Sequence, residues 1–238
     1  STYVEPFVGG GAVLFHLLEK YDFQEVHIFD INPELTLCYE MLKNSAEKVW
    51  NQLNSMINEY LPLGTDEEKE YYYLVRQEWN EGVSLLKSMT KTSKEKRVAQ
   101  TIFLNKTCFN GLFRVNRKGE FNVPIGSYKN PSFPSKQNLL EVQTALEKVT
   151  IHLGSFEECK DFVDENTFVY LDPPYRPLSE TSHFVSYTKG AFDDDDQKRL
   201  AAFVLEINDT GAKFILSNSD PKNTVPDDDF FDDLYSDF

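Results

Sequence analysis

Tyr3-Val4-Glu5-Pro6-Phe7-Val8-Gly9-Gly10-Gly11 opens the chain, and Val26-His27-Ile28-Phe29-Asp30-Ile31-Asn32-Pro33 answers it one helix later. Tyr3-Val4 reads as the end of a buried strand. The contiguous glycines let the backbone turn tightly into a helix that runs through about Lys20. Val26 to Asp30 is a second strand. Asn32-Pro33 starts the next helix, with proline in the first turn, where its missing N–H leaves no bond unmade. The unit is β-loop-α-β, with a glycine loop after the first strand and an acid at the end of the second.

Working outward, strands are predicted over Val149 to Leu153, Phe168 to Leu171 and Ala212 to Ser217. Helical patterns run from about Gln137 to Lys148 and from about Asp194 to Asn208. Strands alternating with helices give an α/β fold with a mostly parallel, doubly wound, Rossmann-like sheet. The stretch 45–147 breaks the alternation. It carries helical patterns near 45–60, 65–80 and 93–105, with Ser93 as a cap, and a glycine-punctuated hairpin over 109–126 centred on Asn116-Arg117-Lys118-Gly119. Residues 1–44 and 148–238 are therefore expected to form a cofactor-binding and catalytic domain, and 45–147 an inserted domain.

At 238 residues the chain can bury a sizeable core, and 40% hydrophobic with 26% charged residues is ordinary for a globular protein. No apolar run approaches the ~20 residues of a membrane span, and Ser1-Thr2-Tyr3 shows no secretory pattern. Cys38, Cys108 and Cys159 are odd in number and far apart, which points to a reducing, cytoplasmic setting. His16, His27, His152 and His183 lack metal-ligand spacing, so no metal is expected. The net charge of −15 argues against a nucleic-acid partner until its distribution is read. Residues 91–136 hold ten Lys or Arg against two Glu, whereas 190–238 hold thirteen Asp or Glu against four Lys or Arg. A basic segment in an acidic body is an electrostatic footprint for a phosphate backbone, or else a Lys-rich solvated face.

The chemistry lies at Asp172-Pro173-Pro174-Tyr175, directly after the Phe168-Val169-Tyr170-Leu171 strand. An aromatic exocyclic amine is a poor nucleophile because its lone pair is delocalised into the ring. Hydrogen bonds to the Asp172 carboxylate and the Pro173 carbonyl would localise that pair and aim it at a methyl donor. Two prolines stiffen the turn and remove two donors. Tyr175 offers a face for a base taken out of its stack. The bland alternative is a proline turn that merely ends a strand.

The glycine loop with Asp30 could by itself hold a nicotinamide or flavin dinucleotide, the acid accepting from ribose hydroxyls. The glycines are contiguous, however, and not spaced as G-x-G-x-x-G. With a methyl-acceptor site at residue 172, S-adenosylmethionine fits both observations.

Glu5 to Gly11, Phe29-Asp30-Ile31-Asn32, Phe109 to Asn116, Gly119 to Pro124 and Asp172 to Tyr175 together resemble the Dam-type adenine-specific DNA methyltransferases, in the same order and over nearly the whole chain. Residues 168–190 are closest to members of restriction-modification systems acting at GATC. The resemblance implies base flipping, direct transfer to the N6 amine of adenine in double-stranded DNA, and S-adenosylhomocysteine as product. It implies a bacterial or phage enzyme, acting as a monomer without a membrane partner, with a cognate restriction endonuclease as a further partner. By position, Glu5, Pro6, Phe7, Gly9 and Gly11 would hold the methionine part of the cofactor, with Asp172 beside it. Asp30 would take its ribose hydroxyls, and Ile31 and Phe156 would flank its adenine. Ser155 stands where the family often has an acid. Asn110, Leu112, Arg114, Asn116, Pro124 and Tyr128 would meet the target site, and Lys106, Lys118 and Lys129 the phosphates. Arg114 has the donor fork for guanine in the major groove. Phe109, Phe113 and Phe121 are expected to pack the hairpin. Residues 179–187 would cover the flipped base, with Tyr187 either stacking or packing. Asp193 to Asp196 reads as an acid-rich helix start rather than a metal site.

Against the family pattern the chain reads as cut at both ends, lacking a Lys-Trp-x-Gly-Gly-Lys type segment before Ser1 and a basic segment after Phe238. That leaves two other readings, a DNA- or cofactor-binding fragment with impaired catalysis, and a methyltransferase acting on RNA or a protein amide.

Overall fold

In the computed structural model, described over residues 1–176, 192–223 and 225–236, five strands form one parallel sheet. These are β1 (Thr2–Glu5), β2 (Glu25–Asp30), β3 (Val149–Leu153), β4 (Thr167–Leu171) and β5 (Lys213–Leu216). Their order is β3-β2-β1-β4-β5. Val4 lies opposite both His27 and Val169, and Leu171 opposite Leu216. From β1 the chain winds outward through β2 to β3, then returns to the other side for β4 and β5. The order reverses between β1 and β4, the switch point at which open α/β sheets hold ligands beyond their strand ends. This is the parallel, doubly wound, Rossmann-like sheet expected from the alternation of strands and helices.

The chain divides into two compact units, Ser1–Thr36 with Lys148–Phe238, and Leu37–Glu147. In the first, helix α1 (Ala12–Lys20) follows the glycine loop. Gly9 and Gly11 have φ of 48° and 73°, a left-handed backbone that a side chain would strain. One face of the sheet, with Val4, Val169 and Leu171, packs on Leu200, Phe203, Val204 and Ile207. Those four residues recur at helical spacing along one stripe of a helix over Asp194–Asp209, here numbered α6. Each such side chain contributes roughly 1.5–3 kcal/mol on burial. Asp193 caps this helix, its Oδ1 accepting from the Asp195 and Asp196 amides at 3.0 Å each. Asp196 reaches back to the Asp193 amide at 3.2 Å. The acidic run is therefore a capping box on a favourable helix dipole.

Helix α2 (Pro33–Tyr60) starts as predicted, with Asn32 Oδ1 accepting from the Glu34 amide at 3.0 Å. A non-helical residue at Ser45 (φ −154°, ψ 28°) divides it, so the separate helix expected from about residue 45 to 60 follows that kink. The second unit adds α3 (Thr65–Glu81), α4 (Lys91–Thr107) and α5 (Lys136–Ala145) around Tyr72, Trp79, Val98, Phe103 and Leu104. The cap of α4 is Thr90, not Ser93. Thr90 Oγ1 accepts from the Ser93 amide at 3.2 Å, so Ser93 already lies inside the helix.

The 109–126 hairpin is looser than its pattern suggested. A 3-10 turn over Phe109–Gly111 interrupts it, with Asn110 at φ 55°. Among the described residues its antiparallel pairing is limited to the isolated bridges Cys108–Ile125 and Val115–Phe121. The arms still share backbone hydrogen bonds, with the Asn122 amide donating to the Arg114 carbonyl at 3.1 Å and the Asn116 amide to the Glu120 carbonyl at 2.9 Å. The returning arm is also fastened to α3: Asn80 exchanges hydrogen bonds with the backbone of Phe121, and Tyr72 donates to the Val123 carbonyl at 2.9 Å. Phe121 and Phe113 pack edge-on to Trp79, whereas Phe109 is 51% exposed and does not pack as expected. Among the described residues no helix is long and apolar enough to cross a membrane.

Candidate active site

A cavity of about 780 Å³ opens beyond the carboxyl ends of β1 to β4. Pro6, Phe7 and Gly9 come from the loop after β1, Asp30 and Ile31 from the end of β2, Ser155 and Phe156 from beyond β3, and Asp172 to Tyr175 from beyond β4. Residues separated by more than a hundred positions thus share one wall because parallel strands end on the same side. Glu5 and Gly11 are not on this wall. Glu5 is 2% exposed beneath it, with the Tyr3 hydroxyl donating to its Oε2 at 2.7 Å. Burial raises the Glu5 carboxyl to about 7; the Tyr3 hydrogen bond opposes that rise, and the charge of Asp172 adds to it.

Asp30 is bound to the loop that it faces. Its Oδ2 accepts from the Gly9 amide at 3.1 Å and its Oδ1 from the Asn32 amide at 2.8 Å. Burial raises its carboxyl and these two bonds oppose the rise. One lone pair on each oxygen remains for a ligand. Ile31 is 63% exposed and Phe156 is buried, with the ring of Phe7 stacked on Phe156 at 5.3 Å. Ser155 Oγ donates to Glu157 Oε2 at 2.6 Å, and Arg199 grips the same carboxylate. Burial works to raise Glu157, but these hydrogen bonds outweigh it and leave the carboxyl below its ordinary range.

Within the tetrapeptide Pro173 is buried, while Asp172, Pro174 and Tyr175 are exposed. The Tyr175 hydroxyl lies 2.9 Å from Ser217 Oγ, and the Ser217 amide donates to the Leu171 carbonyl at 2.8 Å. The next residue, Arg176, pairs with Asp194 and Asp228 at 2.8 and 2.7 Å. Phe192, Asp196 and Arg199 also line the cavity. Sequence reading did not assign them to the site, since their approach depends on how the helix after β4 packs; only the acid-rich start of that helix was visible. Positions 179–187, including Tyr187, lie outside the described residues.

The residues expected to meet the target lie in the second unit. Lys106, Asn110, Leu112, Arg114, Lys118, Pro124, Tyr128 and Lys129 are exposed, and Asn116 is half-buried. Asn116 holds the turn: its Oδ1 accepts from the amides of Lys118 and Glu120, and its Nδ2 donates to Glu120 at 2.7 Å. Arg114 Nε donates to Asn122 at 2.8 Å, and the Pro124 carbonyl accepts from the Phe109 amide at 2.9 Å. The basic segment is less free than its count suggests. Arg97 is 2% exposed, donates to the Trp79 carbonyl and lies over its ring, while Lys96 and Lys136 pair with Glu78 and Glu47.

Fold and cavity together define a Rossmann-like α/β protein with a ligand-sized site beyond the carboxyl ends of its strands. A model of the D12 class N6 adenine-specific DNA methyltransferases matches residues 1–238. The chain is 51% identical over 238 residues to the type II methyltransferase M.MjaIII of Methanocaldococcus jannaschii, covering all of this chain and 78% of that protein. It is 36% identical over 240 residues to the type II methyltransferase M1.LlaDCHI of Lactococcus lactis subsp. cremoris, covering 100% and 76%. With a DNA adenine methylase of Vibrio cholerae the identity is 32% over 222 residues, covering 93% and 73%. The chain belongs to the D12 class N6 adenine-specific DNA methyltransferases.

Proposed function

We propose that this adenine-specific DNA methyltransferase takes its methyl group from S-adenosylmethionine and acts on duplex DNA at GATC, on an adenine flipped out of the helix. The observation that carries the reading is the single cavity lined by both Asp30 and Asp172 to Tyr175. Its volume of about 780 Å³ suits a nucleoside-sized ligand. The residues fit the cofactor: Asp30 retains an acceptor on each oxygen for two ribose hydroxyls, Ile31 and Phe156 give apolar flanks for a purine, and Pro6 to Gly9 bring backbone close. Ser155 lacks a charge, but it touches the Glu157 carboxylate that Arg199 holds.

When bound, S-adenosylmethionine supplies an electrophilic methyl group and leaves as S-adenosylhomocysteine. The protein does the rest by positioning. The Asp172 carboxylate and the Pro173 carbonyl accept hydrogen bonds from the adenine amine and localise its lone pair. Tyr175, held through Ser217, offers a stacking face. The transfer is direct and in line, no side chain is methylated on the way, and the proton that the amine sheds passes to solvent beside the exposed Asp172. In the second unit, Asn110, Leu112, Arg114, Pro124 and Tyr128 meet the target site and Lys106 and Lys118 the phosphates, whereas Asn116 supports the turn that presents them. A cognate endonuclease is the partner that the type II names of the relatives suggest.

Methyl incorporation into duplexes carrying GATC or a scrambled site tests this reading. Asp172→Ala is expected to lose roughly 10²- to 10³-fold in rate. Equal incorporation by the variant removes Asp172 from the mechanism, and equal incorporation into the two duplexes removes GATC.

A further inference from the structure

The Pro173-Pro174 turn cannot hold itself, since neither proline has a backbone N–H to donate. Its polar handles are carbonyls, and one of them is tied. Gln197 Nε2, at the start of α6, donates to the Pro174 carbonyl at 3.2 Å. Gln197 has no exposed surface. Its Oε1 accepts from Asn218 Nδ2 at 3.0 Å, and Asn218 Oδ1 accepts from the Ser219 amide at 2.9 Å. A carbonyl can only accept, so Gln197 must turn its NH2 toward Pro174. A backbone N–H can only donate, so Asn218 must turn its oxygen toward Ser219. The two ends thus fix both amide orientations, and the orientations agree with each other. The result is a polarised chain from the loop after β5, through a fully buried amide, to the turn after β4.

We propose that Gln197, oriented by Asn218, is a positioning residue for methyl transfer: it anchors the Pro174 carbonyl so that the Pro173 carbonyl and the Asp172 carboxylate meet the substrate amine in register. This rests on the role given above to Asp172 to Tyr175. A buried amide committed at both ends has one stable arrangement, because breaking either bond strands a polar group away from water. It therefore supplies the stiffness that a donor-free turn lacks. Neither amide touches the reacting atoms.

The test is single-turnover methyl transfer to GATC duplex by the full chain at saturating S-adenosylmethionine, for wild type, Gln197→Met, Gln197→Glu, Asn218→Asp and Asp172→Ala. Calorimetric cofactor affinity and thermal melting are followed at each pH. Gln197→Met keeps length and loses the donor; its rate is expected to fall roughly 10- to 100-fold, as a small misplacement of reacting groups does. Its cofactor affinity stays close to that of wild type. Asn218→Asp leaves Gln197 without its orienting donor and falls in the same direction. Gln197→Glu carries the sharper signature. Its protonated acid donates to Pro174, and its carboxylate repels that carbonyl, so its rate declines with rising pH along a limb that wild type lacks. A wild-type rate in folded Gln197→Met, or a Gln197→Glu profile parallel to wild type while folded, overturns the proposal. If Gln197→Met does not fold, the Gln197→Glu profile decides alone. An active Asp172→Ala overturns the underlying reading, whereas an inactive one beside a fully active Gln197→Met overturns only this inference.

Discussion

Glu5 shows what burial does to a carboxyl that lies next to the site without lining it. The sequence marks it as the acid before the glycine loop, and the structure buries it beside Tyr3 instead of exposing it in the cavity. Its carboxyl rises from an ordinary 4.5 to about 7. A group whose folded value is raised favours the folded state fully below its unfolded value, and that contribution is lost as pH rises through the folded value. Stability should therefore fall between about pH 4.5 and 7 on account of Glu5. Glu5→Gln keeps an acceptor for the Tyr3 hydroxyl and cannot ionise. It is expected to be more stable than wild type above neutrality by on the order of 3 kcal/mol, with the gap closing toward acid. Urea denaturation of both proteins at alkaline and acid pH measures this, and parallel stability curves would remove the buried carboxylate as the cause.

At the scale of the element, helix starts were legible when the capping residue lay next to an unmistakable pattern. Asn32-Pro33 and the run from Asp193 announced their helices because a short polar side chain or a proline there has few other uses. For α4 the sequence pattern points to a cap three residues too late, at Ser93 and not Thr90. Thr90 and Ser93 are chemically equivalent as caps, and the choice depends on which backbone amides the fold leaves unpaired. Thr90→Ala is expected to destabilise the protein by about 1 kcal/mol, and Ser93→Ala by less, in matched denaturant titrations. The reverse order would return the cap to Ser93. The arms of the 109–126 hairpin do pair, but loosely, and the returning arm also bonds to Asn80 and Tyr72 of α3. Side chains of a distant helix compete for backbone groups in a way that local alternation does not reveal.

For the whole molecule, the charge distribution governs the substrate. A net charge of −15 repels a polyanion, so the duplex binding we propose has to rely on the local basic segment. Arg97 is buried and Lys96 and Lys136 are paired, so the attraction proposed for phosphates rests on the other seven basic residues of 91–136, Lys106, Lys118 and Lys129 among them. Affinity for duplex DNA is expected to fall steeply with salt. Lys118→Ala should weaken binding to GATC and scrambled duplexes alike and reduce the log–log salt slope by about 1. An unchanged slope in fluorescence titrations would take Lys118 out of the interface.

Sequence by itself determined the fold class and the chemistry. Short apolar strand runs, a glycine loop and an acid followed by two prolines each depend on bonds made within a few residues, so their meaning survives without the fold. The patterns around Asp30 and Asp172 to Tyr175, which line one cavity, were legible for that reason. Only the tertiary structure decided which residues support them. Parallel strands bring positions 6, 30, 155 and 172 to one edge, and the packing of α6 adds Phe192, Asp196 and Arg199 to the cavity. The same packing joins Gln197 to Pro174 and Asn218, and sheet pairing sets His27 and His152 3.2 Å apart. A buried amide or imidazole takes its partner from whatever the fold brings within about 3 Å, and no local pattern in the chain records that choice.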